Sequence, residues 1–84
     1  MKLQLLKEGD YKATFLRTND YTVLFSYGTP IAAIDAYNTQ YYRLCEPRYL
    51  THTTSKHLKQ FLELFDFEYN RKVFLDAEFL DLEF

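Results

Sequence analysis

The stretch "RYLTHTTSKHLKQFLELF", residues 48–65, sets four hydroxyl residues and two histidines immediately ahead of an amphipathic run. Leu58, Phe61, Leu62 and Phe65 stand at i, i+3, i+4 and i+7, one stripe of an α-helix, while Lys56, Lys59, Gln60 and Glu63 fall on its other faces. A helix of about 13 residues is marginal in water by itself. Burying each large apolar side chain of the stripe contributes roughly 1.5–3 kcal/mol, against propensity differences of a few tenths per residue. The helix is therefore expected to form because it docks on a second layer.

That second layer is legible upstream. "YKATFLR" (11–17) places Tyr11, Ala13 and Phe15 on one face and Lys12 and Thr14 on the other. "YTVLFSY" (21–27) places Tyr21, Val23, Phe25 and Tyr27 opposite Thr22, Leu24 and Ser26. This period of two, rich in aromatic and β-branched residues, predicts strands, and Asn19-Asp20 suits a tight turn with left-handed backbone angles. Gly28 permits a positive φ and Pro30 belongs at a turn or strand start. "IAAIDAY" (31–37) predicts a third strand, turned at Asn38-Thr39 into "YYRLC" (41–45). The small Ala32, Ala33 and Ala36 would let another element approach closely. Leu3-Gln4-Leu5 offers one more strand before a Glu8-Gly9-Asp10 turn. The expectation is an α+β fold, a single domain over residues 1–84. It consists of an antiparallel meander of four strands, or five with Leu3–Leu5, packed on one amphipathic helix, with a short C-terminal helix.

For that last helix, Asp76 is the expected N-cap, with Leu75 and Leu80 at the spacing of a hydrophobic staple. Asp76 and Glu78 would then lie at the positive end of the helix dipole. "DFEYNRK" (66–72) reads as a loop around Asn70, and the alternation of Val73, Leu75, Ala77 and Phe79 leaves a strand as the competing reading.

Composition narrows the function classes. Eight Phe and eight Tyr among 84 residues, with only two Gly and two Pro, describe a chain that folds around aromatic area. A single cysteine, Cys45, removes an internal disulfide and a four-cysteine zinc site. At a strand end it reads as a small buried hydrophobe. The opening residues do not resemble a secretory signal, and apolar runs fall far short of the ~20 residues that cross a bilayer. A cytoplasmic location is expected. Net charge is −2, split as +3 over residues 1–61 and −5 over 62–84. Neither half has the basic excess of a dedicated duplex-DNA binder.

Catalytic constellations are weak. His52 and His57 are five apart, off a common helical face, with His52 expected ahead of the helix; no metal, cofactor or catalytic set is expected. Ser26 and Ser55 lack a nucleophile-elbow context, and two glycines do not make a phosphate loop. Asp66 and Glu68 sit in a charged segment with nothing to separate their pKa values. Two candidate partner-binding surfaces remain. One is the helix start, Arg48 with Thr53, Thr54, Ser55, Lys56 and His57, where one of Thr53, Thr54 or Ser55 serves as N-cap; the surplus hydroxyls read either as turn-forming groups or as an anion patch. The other is the acidic segment containing Asp66, Glu68, Asp76, Glu78, Asp81 and Glu83, complementary to a basic channel. The tyrosines fit a small aromatic core, a protein interface or a base-stacking face.

Tyr27, Thr29 and Pro30 in "LFSYGTPIA", a following "YY" strand and "THTTSKHLKQFL" with Thr53–His57 and Phe61 together resemble a family of small uncharacterised proteins of phages and mobile elements. The resemblance spans residues 20–62. It implies a small sheet-plus-helix fold and a mobile-element origin in a bacterial host, and it implies no activity. Small phage proteins without catalytic residues often bind a host protein stoichiometrically, including inhibitors of bacterial defence such as anti-CRISPR proteins. The expected function is that of such an accessory protein, not an enzyme. The alternatives are a weak nucleic-acid-binding module using the tyrosine face and a structural homo-oligomer.

Overall fold

The computed structural model describes residues 3–7 and 10–82. Five strands form one antiparallel sheet in sequence order: β1 Leu3–Lys7, β2 Asp10–Arg17, β3 Tyr21–Ser26, β4 Thr29–Asp35 and β5 Tyr41–Arg43. A 3₁₀ turn, Pro47–Tyr49, leads into α1, His52–Leu64, and a five-residue α2 spans Arg71–Leu75. This is the expected α+β meander with the fifth strand present. The Glu8-Gly9-Asp10 turn lies, through Glu8 and Gly9, outside the described residues.

Register decides which side chains share a face. Phe15 pairs with Leu24, Leu24 with Ala32, and Ile34 with Tyr41. With Ile31, Cys45, Leu50, Leu58, Phe61, Leu62 and Phe74 they form the core between sheet and helices, Tyr41 packing against it from a half-buried position. Phe61 meets Phe15 at 6.3 Å and Phe65 at 5.3 Å between ring centroids. The helix-facing side of β3 is therefore Thr22, Leu24 and Ser26. The opposite face, Tyr21, Val23, Phe25, Ala33 and Tyr42, carries no helix. Val23 and Ala33 are nevertheless buried there, because they are small and flanked by larger rings.

Turn chemistry matches the sequence in part. Tyr27 (φ 53°) and Gly28 (φ 81°) join β3 to β4 as a two-residue turn with both angles positive, the geometry whose twist suits a hairpin. A Cβ on Gly28 would meet nothing within 4 Å, so backbone angle alone makes glycine the fitting residue. Pro30 sits beside a bulge: Leu24 pairs with Ala32 and Phe25 with Pro30, leaving Ile31 as the extra residue turned into the core. Asn19 and Asp20 do not adopt the expected left-handed angles. Thr18 organises that turn instead, its Oγ1 accepting from the amides of Asp20 (3.3 Å) and Tyr21 (3.0 Å) and donating to the Tyr21 carbonyl. Asn38 does take φ 56°, and Asp35 closes that turn by accepting from the Thr39 amide (2.6 Å), the Thr39 hydroxyl and the Gln40 amide.

Helix ends required two corrections. Thr51, not Thr53, Thr54 or Ser55, caps α1, accepting from the Thr54 amide at 3.3 Å, and His52 is the first helical residue and does not precede the helix. At the other end the Phe67 amide donates to the Leu62 carbonyl and the Asp66 amide to that of Glu63, with Asp66 left-handed at φ 66°. That is a Schellman motif, and Leu62 and Phe67 supply its apolar contact. The short C-terminal helix exists, but Asn70 caps it, Oδ1 accepting from Lys72 (3.0 Å) and Val73 (3.2 Å). Asp76 is its C-cap, so neither the Leu75–Leu80 staple nor the favourable dipole position of Asp76 and Glu78 is formed. The competing strand is confined to one parallel bridge, Arg43 with Phe79, which lays the tail along the outer edge of β5. Asn70 offers a cap one turn before Phe74, and burying Phe74 against Tyr41 outweighs any cap Asp76 could provide.

Candidate functional site

The buried stripe of α1 extends one turn further back than the leucines and phenylalanines indicate. Thr54 and His57, four residues before Leu58 and Phe61, are both buried. They meet Ser26, two residues beyond Leu24 on the same strand face. Ser26 Oγ shares hydrogen bonds with Thr54 Oγ1 at 3.0 Å and His57 Nδ1 at 2.9 Å. A serine beside a histidine resembles a nucleophile–base pair, yet Ser26 is only 2% exposed and its hydroxyl is already engaged twice. The network fastens α1 to β3. The sequence places Ser26 on the face of Leu24 but does not single it out as an anchor, although the two periodicities, 2 on the strand and 3.6 on the helix, both carry the signal.

Replacing Ser26 with alanine removes the hydroxyl that Thr54 Oγ1 and His57 Nδ1 share and is expected to cost about 1–3 kcal/mol in urea unfolding. A cost below about 0.5 kcal/mol would show that the network holds nothing.

Above Ser26 opens a cleft of about 360 Å³ lined by Tyr27, Thr29, Ile31, Arg48, Tyr49, Thr51, Thr53 and Thr54. The β3–β4 hairpin forms one wall and the 3₁₀ turn with the first turn of α1 forms the other. Tyr27 and Tyr49 are 57% and 42% exposed. The Arg48 guanidinium lies 4.9 Å from the Tyr49 ring centre, donates to Tyr49 Oη at 3.1 Å and pairs with Glu46 at 3.0 Å. Tyr27 lies 6.0 Å from the His57 ring and under the Lys12 ammonium at 5.9 Å.

The predicted helix-start residues thus part company. Arg48 and Thr53 line the cleft, Thr54 lines it and anchors below, His57 is buried beneath, Ser55 is half-buried, and Lys56 is exposed. Of the four hydroxyl residues at the helix start, Thr51 caps it and Thr54 bonds Ser26.

Among the acidic candidates, Asp76 and Glu78 line a second, mainly apolar cleft of about 460 Å³ with Thr39, Gln40, Tyr41, Phe67, Val73 and Ala77. Asp66 belongs to the helix end, Glu68 and Asp81 are exposed on connecting segments, and Glu83 lies outside the described residues. Cys45 is buried, and desolvation pushes its thiol pKa up despite Arg43 nearby, as suits a packing residue. Among the described residues no group of three or more His, Cys, Asp or Glu is placed to hold a metal, and no helix is long and apolar enough to cross a membrane.

A five-stranded antiparallel sheet backed by two helices, with an aromatic-rimmed cleft where hairpin and helix meet, defines a small α+β domain. The chain belongs to a family of unknown function, DUF8033, whose model matches residues 1–77. No curated protein and no solved structure matches it.

Proposed function

We propose that the protein acts by binding another protein stoichiometrically, through the cleft rimmed by Tyr27, Arg48 and Tyr49. The observation that carries this reading is the conformation of Tyr27. A left-handed backbone costs an ordinary L-residue about 1–2 kcal/mol, and Asn or Gly would fill that turn position more cheaply. The chain keeps an exposed tyrosine there (φ 53°, 57% exposed), across from an arginine stacked on a second tyrosine. Tyrosine and arginine dominate binding energy at protein interfaces, and strain of this kind gathers at functional positions. The setting we propose is an accessory protein of a phage or mobile element acting on a host protein in the bacterial cytoplasm, with an inhibitor of a defence system as its sharpest form.

The experiment is capture from host lysate, identification of the partner, and calorimetry on the purified pair. One-to-one binding is expected, and Tyr27→Asn is expected to weaken it about tenfold or more while holding or raising the melting temperature. Reversing Asp76, Glu78, Asp81 and Glu83 to lysine is expected to leave affinity intact. Undiminished binding by Tyr27→Asn and Arg48→Ala would overturn the assignment, and loss on charge reversal would move the site to the acidic cleft.

A further inference from the structure

At the other end of β3, on the face without helices, a pocket of about 300 Å³ is lined by Asn19, Asp20, Tyr21, Asp35, Ala36, Tyr37 and Tyr42. Three features of the fold bring these residues together. Register sets Tyr21 opposite Asp35. The Ala36 amide donates to the Asp20 carbonyl at 2.9 Å, clamping the β2–β3 turn against the β4–β5 turn. Tyr21 and Tyr42 then pack edge to face, 5.9 Å between centroids at 87°.

The chemistry of this pocket is that of a cation receptor. Aromatic rings attract cations to their faces, and three tyrosines line the pocket. Asp35 is held ionised, its carboxyl pKa lowered chiefly by the Thr39 hydroxyl and further by the Thr39 and Gln40 amides. Burial, then the charges of Tyr21, Glu78 and Asp35, pushes the Tyr42 phenol above its ordinary value. No lysine or arginine is among the lining residues. Arg43, next to Tyr42 in the chain, is turned away to the Phe79 ring (5.3 Å) and donates to the Cys45 carbonyl at 2.7 Å, and Arg17 points to the other face of the sheet, where it covers Phe65 at 5.7 Å. A phosphate or carboxylate ligand would meet uncompensated repulsion.

We propose that this pocket receives an arginine side chain of a partner protein, with the guanidinium against the tyrosine rings and its donors toward Asp20 and Asp35. The volume is at the small end of ligand sites, sized for a side chain and not for a cofactor. A planar guanidinium both stacks on rings and fans several donors toward carboxylates, which a compact ammonium does not. Tyr37, 86% exposed at the mouth, is an interface residue in search of a surface. The site is separate from the Tyr27–Arg48–Tyr49 cleft, and either can fail without the other.

The test is an amide chemical-shift titration of the whole chain with acetyl-Gly-Arg-Gly-amide, alongside the same peptide carrying citrulline or lysine. Saturable shifts are expected at residues 20–21, 35–37 and 42, with citrulline at least about tenfold weaker and lysine weaker than arginine. Tyr37→Ala and Asp20→Asn, both at exposed positions, are each expected to reduce affinity about threefold. Citrulline or lysine binding as well as arginine, shifts centred elsewhere, or no saturable shift would overturn the proposal.

Discussion

Phe61→Ala is expected to remove about 3–5 kcal/mol of stability, the range for truncating a fully buried aromatic ring. Phe61 is 0% exposed and lies between Phe15 of β2 and Phe65 at the helix end, so its loss opens a hole in the seam between sheet and α1. A domain of this size has roughly 4–13 kcal/mol of total stability, so the variant stands near the edge of folding. Urea unfolding should show the midpoint falling with the slope unchanged. Phe61→Leu, which refills most of the space, provides the foldable comparison at about 1.5 kcal/mol or less. A loss below about 1 kcal/mol for alanine would mean that α1 is not held by this face.

Phe74→Ala is expected to cost a similar 3–5 kcal/mol, although it sits on a helix of only five residues. A helix that short does not persist alone. It exists because Phe74, 0% exposed, stacks on Tyr41 at 6.1 Å and 26°, and because Arg71 Nη1 donates to the Leu50 carbonyl at 3.0 Å. The tail that follows shares backbone hydrogen bonds with Arg43: the Arg43 amide donates to the Glu78 carbonyl and the Leu80 amide to the Arg43 carbonyl. Hydrogen exchange should therefore report faster opening at Arg43 and Leu80 in the variant, before global unfolding. Phe79→Ala, at a 51% exposed ring on the same tail, is expected to cost under about 1 kcal/mol. Equal costs for Phe74 and Phe79 would contradict this placement of the core.

The contrast between the two helices shows where sequence reading succeeds. In α1 the apolar stripe is long, and its period leaves no alternative to a docked helix. In α2 only Phe74 is fully buried, and one residue has no period. Asp76 and Leu80 therefore offered an equally good local pattern. The choice fell to the Asn70 cap and the docking of Phe74, the second of which depends on Tyr41 being in place. The 18–21 turn differs again: Asn-Asp favours left-handed angles, and the Thr18 hydroxyl, accepting from the Asp20 and Tyr21 amides, holds the turn without them.

The two pockets divide in the same way. Arg48, Thr53 and Thr54 could be singled out because they are polar residues beside a helix start. Tyr27, Tyr49 and Ser26 join them only when the β3–β4 hairpin folds over α1. Tyr21, Tyr42, Asp20 and Asp35 lie on three different segments, and no spacing along the chain announces their meeting.

What the chain determines without further help is periodic: strands over 11–17 and 21–27, of which the structure gives Tyr27 to the turn, a glycine turn after them, and a helix whose buried side runs through Leu58, Phe61 and Leu62. These follow from side-chain direction and from the backbone freedom of glycine, which act over a few residues. Only the tertiary structure decides which face of β3 meets α1, where α2 begins, and which tyrosines gather around which charges. Those outcomes depend on strand register and on burial competing between distant segments, and neither energy is written in any short stretch of the chain.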